Sequence, residues 1–231
     1  MPIAGILGGL GPESTIDYYR RIIGEWQRED PLTFPGIVID SLDVNRGLYL
    51  SEHDHAGLAR YLLESLTRLA GAGVDFIAMA ANTPHLVFDE LVERCPVPMV
   101  SIVETCAAEA RRRGLTRLAL LGTRFTMEAP FYPTVFARNG MAVVPPGEPD
   151  RTWAHEHYVG QLLKGDFRDS TRDGFISLIT KLRDEEGIDG VILGGTELTI
   201  LLSDPVVAAV PALDTTALHV RAIVERLRKT L

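Results

Sequence analysis

Two short segments of this sequence place polar side chains directly after an apolar run, and they lie 114 positions apart. Residues 81–83 (Ala-Asn-Thr) follow the apolar run Phe76–Ala80, and residues 195–197 (Gly-Thr-Glu) follow Val191–Leu193 and a glycine. Apolar runs of this length predict buried strands. In open α/β sheets, ligands bind at the carboxyl ends of the strands, where backbone N–H groups and polar side chains are available. Each segment therefore predicts either a ligand-binding loop or an ordinary strand–helix junction.

The repetition of this pattern favours the ligand-binding interpretation. The same offset superimposes residues 73–75 on residues 187–189, and it pairs Tyr18 with Tyr132. An offset close to half of the 231 residues indicates an internal duplication. The sequence therefore predicts two similar α/β halves, each of which offers two strand-end loops.

The remaining elements predict how the two halves are joined. Proline-flanked strands around residues 95–100 and 210–214 are suited to cross from one half to the other. We therefore expect an α/β fold of two pseudo-symmetric parallel-sheet lobes joined by two hinge strands. The first lobe is predicted to comprise residues 1–97 with 212–231, and the second residues 98–211. The C-terminal helix, at about Thr216–Thr230, is amphipathic and is expected to pack on the first lobe.

Two further strand ends in the first half carry candidate binding residues. Glycine lets the backbone approach a ligand closely, so Gly9 is a candidate, and the helix N-terminus that follows it favours an anion. The segment lacks the Gly-Lys-Ser/Thr ending of a phosphate loop and the GxGxxG spacing, so a carboxylate fits as well as a phosphate. Arg46 follows the predicted strand Gly36–Ser41, and its planar guanidinium could hold a carboxylate, unless it is a solvated loop residue.

The second half offers similar candidates. Thr123 and Thr126 follow the predicted strand Arg117–Leu121, and their hydroxyl groups could either donate to a bound carboxylate or cap a helix. Lys164 lies in the last turn before Gly165, where it could bind a carboxylate or complement the helix dipole.

Composition and charge argue against several classes of function. The net charge of −8 disfavours nucleic acid or an anionic membrane surface as the main partner, since both need basic patches. No apolar stretch is long enough to span a membrane, and the N-terminus does not read as a signal peptide, so a cytoplasmic location is expected. Cys95 and Cys106 lack metal-ligand spacing, and His53 and His55 have no third ligand placed by spacing. No metal, nucleotide or pyridoxal cofactor is expected.

Four motifs together resemble the aspartate/glutamate racemase superfamily, most closely its aspartate racemase branch, over nearly the whole chain. The motifs are GILGGLGPEST at residues 5–15, AANTPH at 80–85, LGTRFTM at 121–127 and VILGGTEL at 191–198. The resemblance implies two pseudo-symmetric lobes with the site between them, cofactor-independent racemisation of a small acidic amino acid, and commonly a homodimer. It also implies that Asn82, Thr83 and Thr196 support the bound amino acid, and that Arg46 and Lys164 bind its carboxylates.

The sequence departs from this family at the two residues that carry the chemistry. The family uses two opposed cysteines, a thiolate base and a thiol acid, and they correspond here to Ala81 and Gly195. Neither alanine nor glycine can transfer a proton, so the two-thiol mechanism cannot operate. His85 and Glu197 remain nearby as candidate acids or bases. His85 has the alternative role of a helix residue bonded to the backbone.

Three hypotheses about function follow from this departure. The protein is an inactive racemase that still binds an acidic amino acid, or a divergent enzyme that uses one base. Such an enzyme would be a lyase, cyclase or decarboxylase acting on a carboxylate substrate. The third hypothesis is a non-catalytic amino-acid-binding protein.

Overall fold

A computed structural model describes residues 2–229, which form two compact units. The first lobe contains the described residues of Met1–Ile102 and Thr216–Leu231, and the second lobe contains Val103–Thr215. The sequence predicted lobe boundaries at 97/98 and 211/212, and these remain predictions. The predicted helix end at Thr230 and the chain ends at residues 1 and 231 lie outside the described residues.

Each lobe is built on a parallel sheet. The strands are β1 (Ile3–Gly8), β2 (Gly36–Ser41), β3 (Phe76–Met79), β4 (Met99–Val100), β5 (Arg117–Leu121), β6 (Ala142–Val144), β7 (Gly190–Leu193), β8 (Val206–Val207) and β9 (Val210–Asp214). The first sheet has the order β2-β1-β3-β4 and the second the order β6-β5-β7-β9-β8. All neighbours are parallel except β8, which pairs antiparallel with β9. The predicted fold class of two parallel-sheet α/β lobes is therefore confirmed.

Helices connect the strands in both lobes. They are α1 (Pro12–Gln27), α2 (Val44–His53), α3 (His55–Gly71), α4 (Phe88–Arg94), α5 (Ile102–Arg112), α6 (Arg124–Glu128), α7 (Phe131–Arg138), α8 (Asp150–Gly160), α9 (Asp169–Glu186), α10 (Thr196–Leu201) and α11 (Thr215–Arg228). Short 3₁₀ helices cover Thr83–Val87 and Leu162–Lys164. Asp54 separates α2 from α3, and its side chain caps α3 by accepting the backbone N–H of Gly57 at 2.8 Å.

Side chains alternate between the two faces of the first sheet because successive strand residues point to opposite sides. On one face, Ala4 and Ile6 of β1 pack with α1 and α11, as the buried cluster with Ile22 and Ile223 shows. On the other face, Leu7 packs with α3 and α4. In the second lobe, buried residues of β5, β7 and β9 pack with α8 and α9 in one large cluster.

The internal duplication is reproduced in the strand register of the two lobes. In the first sheet the pairs run from Ala4↔Phe76 to Leu7↔Met79. In the second they run from Leu118↔Gly190 to Leu121↔Leu193, so each partner is shifted by the predicted offset. Residues 81 and 195 consequently stand at equivalent positions, two residues beyond their respective strands.

Among residues 2–229 we find no helix whose length and hydropathy would carry it across a lipid bilayer.

Candidate functional site

The loop after β3 is held in place by backbone-directed hydrogen bonds. Ala81 is buried, with 6% of its surface exposed, and the buried Asn82 follows it. Ser14 of α1 donates its hydroxyl proton to the carbonyl oxygen of Ala80 at 3.1 Å. The Asn82 carbonyl accepts the backbone N–H of His85 at 2.9 Å, which closes the 3₁₀ turn that starts at Thr83. The first strand end therefore presents a methyl group and an amide side chain, and no acid or base at position 81.

The glycine turn after β1 approaches the neighbouring strand end very closely. Gly9 has φ +82°, and a Cβ atom added there would overlap the backbone of Leu42. Its N–H donates to the Thr15 hydroxyl at 2.8 Å. Because both the positive φ and the contact exclude a side chain, glycine is required at this position. Its proposed contact with a ligand stays a prediction.

His85 is poorly suited to act as a base. Its ring is 3% exposed and stacks on Phe88, with centroids 4.7 Å apart, while Nδ1 lies 3.2 Å from the Asn82 carbonyl oxygen. Burial, and then the neighbouring His219, lower the pKa of His85 to about 3. The imidazole is therefore neutral at neutral pH and only weakly basic. The backbone-bonded role considered from the sequence is present in the structure.

The two predicted carboxylate binders are both exposed. Arg46 lies in the first turn of α2, and its guanidinium carbon is 4.4 Å from the centre of the Tyr61 ring. Lys164 ends a 3₁₀ helix before Gly165, which adopts the left-handed conformation at φ 73°. Within residues 2–229 neither side chain forms an ion pair with a carboxylate.

In the second lobe, Thr123 and Thr126 form a helix cap. The Thr123 hydroxyl accepts the backbone N–H of Thr126 at 3.2 Å, and the two hydroxyl oxygens are also 3.2 Å apart. Both residues are buried. The capping role weighed from the sequence is therefore present, and a contact with a ligand carboxylate stays a prediction.

The loop after β7 carries a buried carboxylate. Glu197 and Thr196 are 2% and 4% exposed, and they begin α10 directly after Gly195. The Thr196 hydroxyl donates to Oε2 of Glu197 at 3.0 Å. The phenol of Tyr158, on α8, donates to the same carboxylate oxygen. Two hydroxyl donors therefore converge on one oxygen of this buried carboxylate.

Tyr158 is the site residue that sequence reasoning missed. It is 3% exposed, and a Cβ atom added at Gly195 would lie only 2.7 Å from Cζ and from the phenol oxygen. Burial, and then the charge of Glu197, raise the pKa of Tyr158 well above its usual value, so the phenol stays protonated. Glycine at position 195 indicates that another side chain could fill the space beside it. Tyr158 lies 37 residues earlier in the sequence, and that spacing does not identify it as the side chain concerned.

The comparisons with known proteins agree with this architecture. A sequence model described as Asp/Glu/hydantoin racemase matches residues 7–223. The chain belongs to this racemase family. The structure of an aspartate racemase homologue from Pyrococcus horikoshii OT3 is 35% identical, with a TM-score of 0.83, and the match covers 99% of this chain and all of that one. The resemblance predicted from the four motifs is therefore confirmed at the level of the superfamily.

Two further comparisons extend this result. The broad specificity amino-acid racemase RacX of Bacillus subtilis (strain 168) is 30% identical over 145 residues, which span 61% of this chain and 63% of that protein. The aspartate racemase of Picrophilus torridus is 21% identical, with a TM-score of 0.82, and the match covers 100% of this chain and 96% of that one. The last comparison supports the fold alone.

The two cysteines of this racemase-family protein are poorly suited to proton transfer. Cys106 is buried on α5, and burial raises the pKa of its thiol far above the usual value. Burial also raises the pKa of the half-buried Cys95, which follows α4. Because the thiolate is the reactive form, neither residue offers a base at neutral pH. Within the described residues, no group of three or more His, Cys, Asp or Glu is placed to hold a metal ion.

Proposed function

We propose that this racemase-family protein binds aspartate or glutamate at the carboxyl ends of its parallel strands and does not racemise it through a pair of thiols. The observation that carries the proposal is the repeated strand register, which gives residues 81 and 195 equivalent positions in two lobes of a racemase fold. Ala81 and Gly195 cannot transfer protons, whereas the polar residues around them are retained. The location of the ligand in a cleft between the lobes, and a homodimer, stay predictions.

The charges near these strand ends support an acidic ligand. Arg46 and Lys164 form no ion pair within residues 2–229, so each guanidinium or ammonium group is available to a carboxylate of the substrate. Thr196 and Glu197 add a hydroxyl and a carboxylate, which suit the α-amino group of an amino acid. An amino acid with two carboxylates would satisfy both kinds of group.

A thermal-shift titration with the two enantiomers of aspartate and of glutamate tests this proposal. A ligand that binds only the folded protein stabilises it by about 2.7 kcal/mol at a hundredfold excess over Kd, so the midpoint should rise by several degrees. Asparagine and lysine serve as non-acidic controls. Arg46→Ala and Lys164→Ala should each reduce the shift, whereas Arg138→Ala, on the exposed end of α7, is the matched control. The absence of any shift with all four acidic ligands would refute the proposal.

A further inference from the structure

Position 195 differs from position 81 because the side chain of Tyr158 lies where a side chain at position 195 would be. A side chain at 195 would overlap the Tyr158 side chain, since its Cβ would lie 2.7 Å from both Cζ and the phenol oxygen. A thiol at 195 would extend one bond beyond that Cβ, into the region of the phenol. The hydroxyl of Tyr158 therefore occupies the region in which the family places its second proton-transfer group.

The phenol is held there by its helix and by a carboxylate. Tyr158 and Ala154 form the buried face of α8. The phenol donates to Oε2 of Glu197, and the same oxygen accepts the hydroxyl proton of Thr196. The arrangement is a protonated phenol in direct contact with a carboxylate that can accept its proton.

We propose that Tyr158 and Glu197 form a proton relay that replaces the second thiol of the family in this lobe. The inference rests on the proposed function, because the proton comes from the α-carbon of the bound acidic amino acid. Ala81, at the equivalent strand-end position of the first lobe, carries no group that can transfer a proton, so the relay works on one face of that carbon only.

The relay requires no oxidant or cofactor. The bond from the α-carbon to its hydrogen breaks, and an O–H bond forms at the phenol oxygen of Tyr158. At the same time the phenol's original proton moves along the existing hydrogen bond to Glu197, which becomes neutral. The electron pair of the broken bond stays on the substrate and is delocalised into its α-carboxylate. The reverse transfer returns a proton to the same face, so the configuration is retained.

Proton NMR in heavy water tests the relay. We expect the α-proton of one enantiomer of aspartate or glutamate to be replaced by deuterium without formation of the other enantiomer. Tyr158→Phe keeps the ring and removes the hydroxyl, and Glu197→Gln keeps a hydrogen-bond acceptor that cannot take the proton. Each substitution should slow exchange by roughly 10²–10⁴-fold, the usual contribution of a proton-transfer group. Tyr158→Phe should keep the thermal shift with ligand, whereas a merely structural role of Tyr158 would weaken binding and exchange together.

Tyr18→Phe is the matched control, because it removes another buried phenol, one that bonds to Nδ1 of His219 at 2.9 Å in the first lobe. It should leave the exchange rate unchanged. Binding by the wild-type protein without any exchange would overturn the relay and leave the proposed function intact. Exchange that survives in either relay variant, or exchange accompanied by inversion, would also overturn the relay. Failure of all four ligands to bind would overturn both proposals.

Discussion

Gly195→Cys forces a side chain into the space that Tyr158 fills, and the structure sets the size of the expected effect. A contact of 2.7 Å between Cβ and ring atoms is far inside the normal carbon–carbon separation of about 3.5–4.0 Å, so the ring has to move. Movement breaks the hydrogen bond to Glu197, which costs about 1.5–3 kcal/mol for a charged acceptor. Overpacking a buried site adds about 1–3 kcal/mol.

The two contributions predict that Gly195→Cys lowers the free energy of unfolding by about 2.5–6 kcal/mol. For a chain of this length, the midpoint falls by roughly 2–4 °C per kcal/mol, so a decrease of roughly 10 °C is expected. Urea denaturation followed by circular dichroism measures the free energy directly. Gly160→Cys is the matched control, since it lies on the same helix as Tyr158 and has open space around a new Cβ.

A second substitution separates the steric effect from a general intolerance of position 195. Tyr158→Leu removes the ring atoms that collide with a new side chain. In that background Gly195→Cys should cost less than about 1 kcal/mol, which gives a coupling energy of about 1.5 kcal/mol or more between the two positions. Equal costs in the two backgrounds, or a neutral Gly195→Cys in the wild-type protein, would refute the packing argument. It follows that restoring both thiols requires Tyr158→Leu in addition to Ala81→Cys and Gly195→Cys.

Two further predictions concern the first lobe. Gly9→Ala and Gly73→Ala both place alanine at φ +82°, but only the new Cβ at Gly9 would overlap the Leu42 backbone. Denaturation should therefore show that Gly9→Ala lowers the free energy of unfolding by about 2 kcal/mol or more beyond the effect of Gly73→Ala. Burial lowers the pKa of His219 to about 4, so its contribution to stability is complete above pH 6.5 and is lost as the pH falls towards 4. At pH 5 the loss amounts to about 2 kcal/mol, and His219→Gln should reduce the decrease in unfolding free energy measured between pH 7 and pH 5. An unchanged pH dependence in that variant would contradict the assignment to His219.

The strands and the main helices were predictable because their signals are local. Apolar runs of four to six residues bounded by glycine or polar residues fix strands such as Arg117–Leu121, whose observed bounds equal the predicted ones. The constant offset of the duplication also predicted which residues share strand-end positions, and the register confirms it. Both signals are visible in the order of residues along the chain, so neither requires knowledge of contacts between distant residues.

Other features depend on contacts between distant residues and could not be predicted. The hairpin of β8 and β9 turns through Ala208 and Ala209, both at positive φ, although such turns usually contain asparagine or glycine. Arg183, on α9, donates to the carbonyl oxygen of Ala208 at 2.7 Å and helps to hold this turn. In the same way, the role of Gly195 depends on Tyr158, and no local pattern links the two residues.

The two strand ends differ in what surrounds the positions that correspond, by resemblance, to the family's thiols, and the difference bears on the proposed function. Ala81 keeps Cβ and lacks only the sulfur, so its loop retains the bonds made by Ser14 and Asn82. Gly195 has no side chain, and the phenol of Tyr158 lies in the space that a side chain there would need and bonds to Glu197. Simple loss of a side chain in a packed interior leaves a cavity that costs stability. In our proposal the strand end of the second lobe therefore supplies an acid–base pair and Ala81 supplies none, which favours proton exchange on one face over inversion.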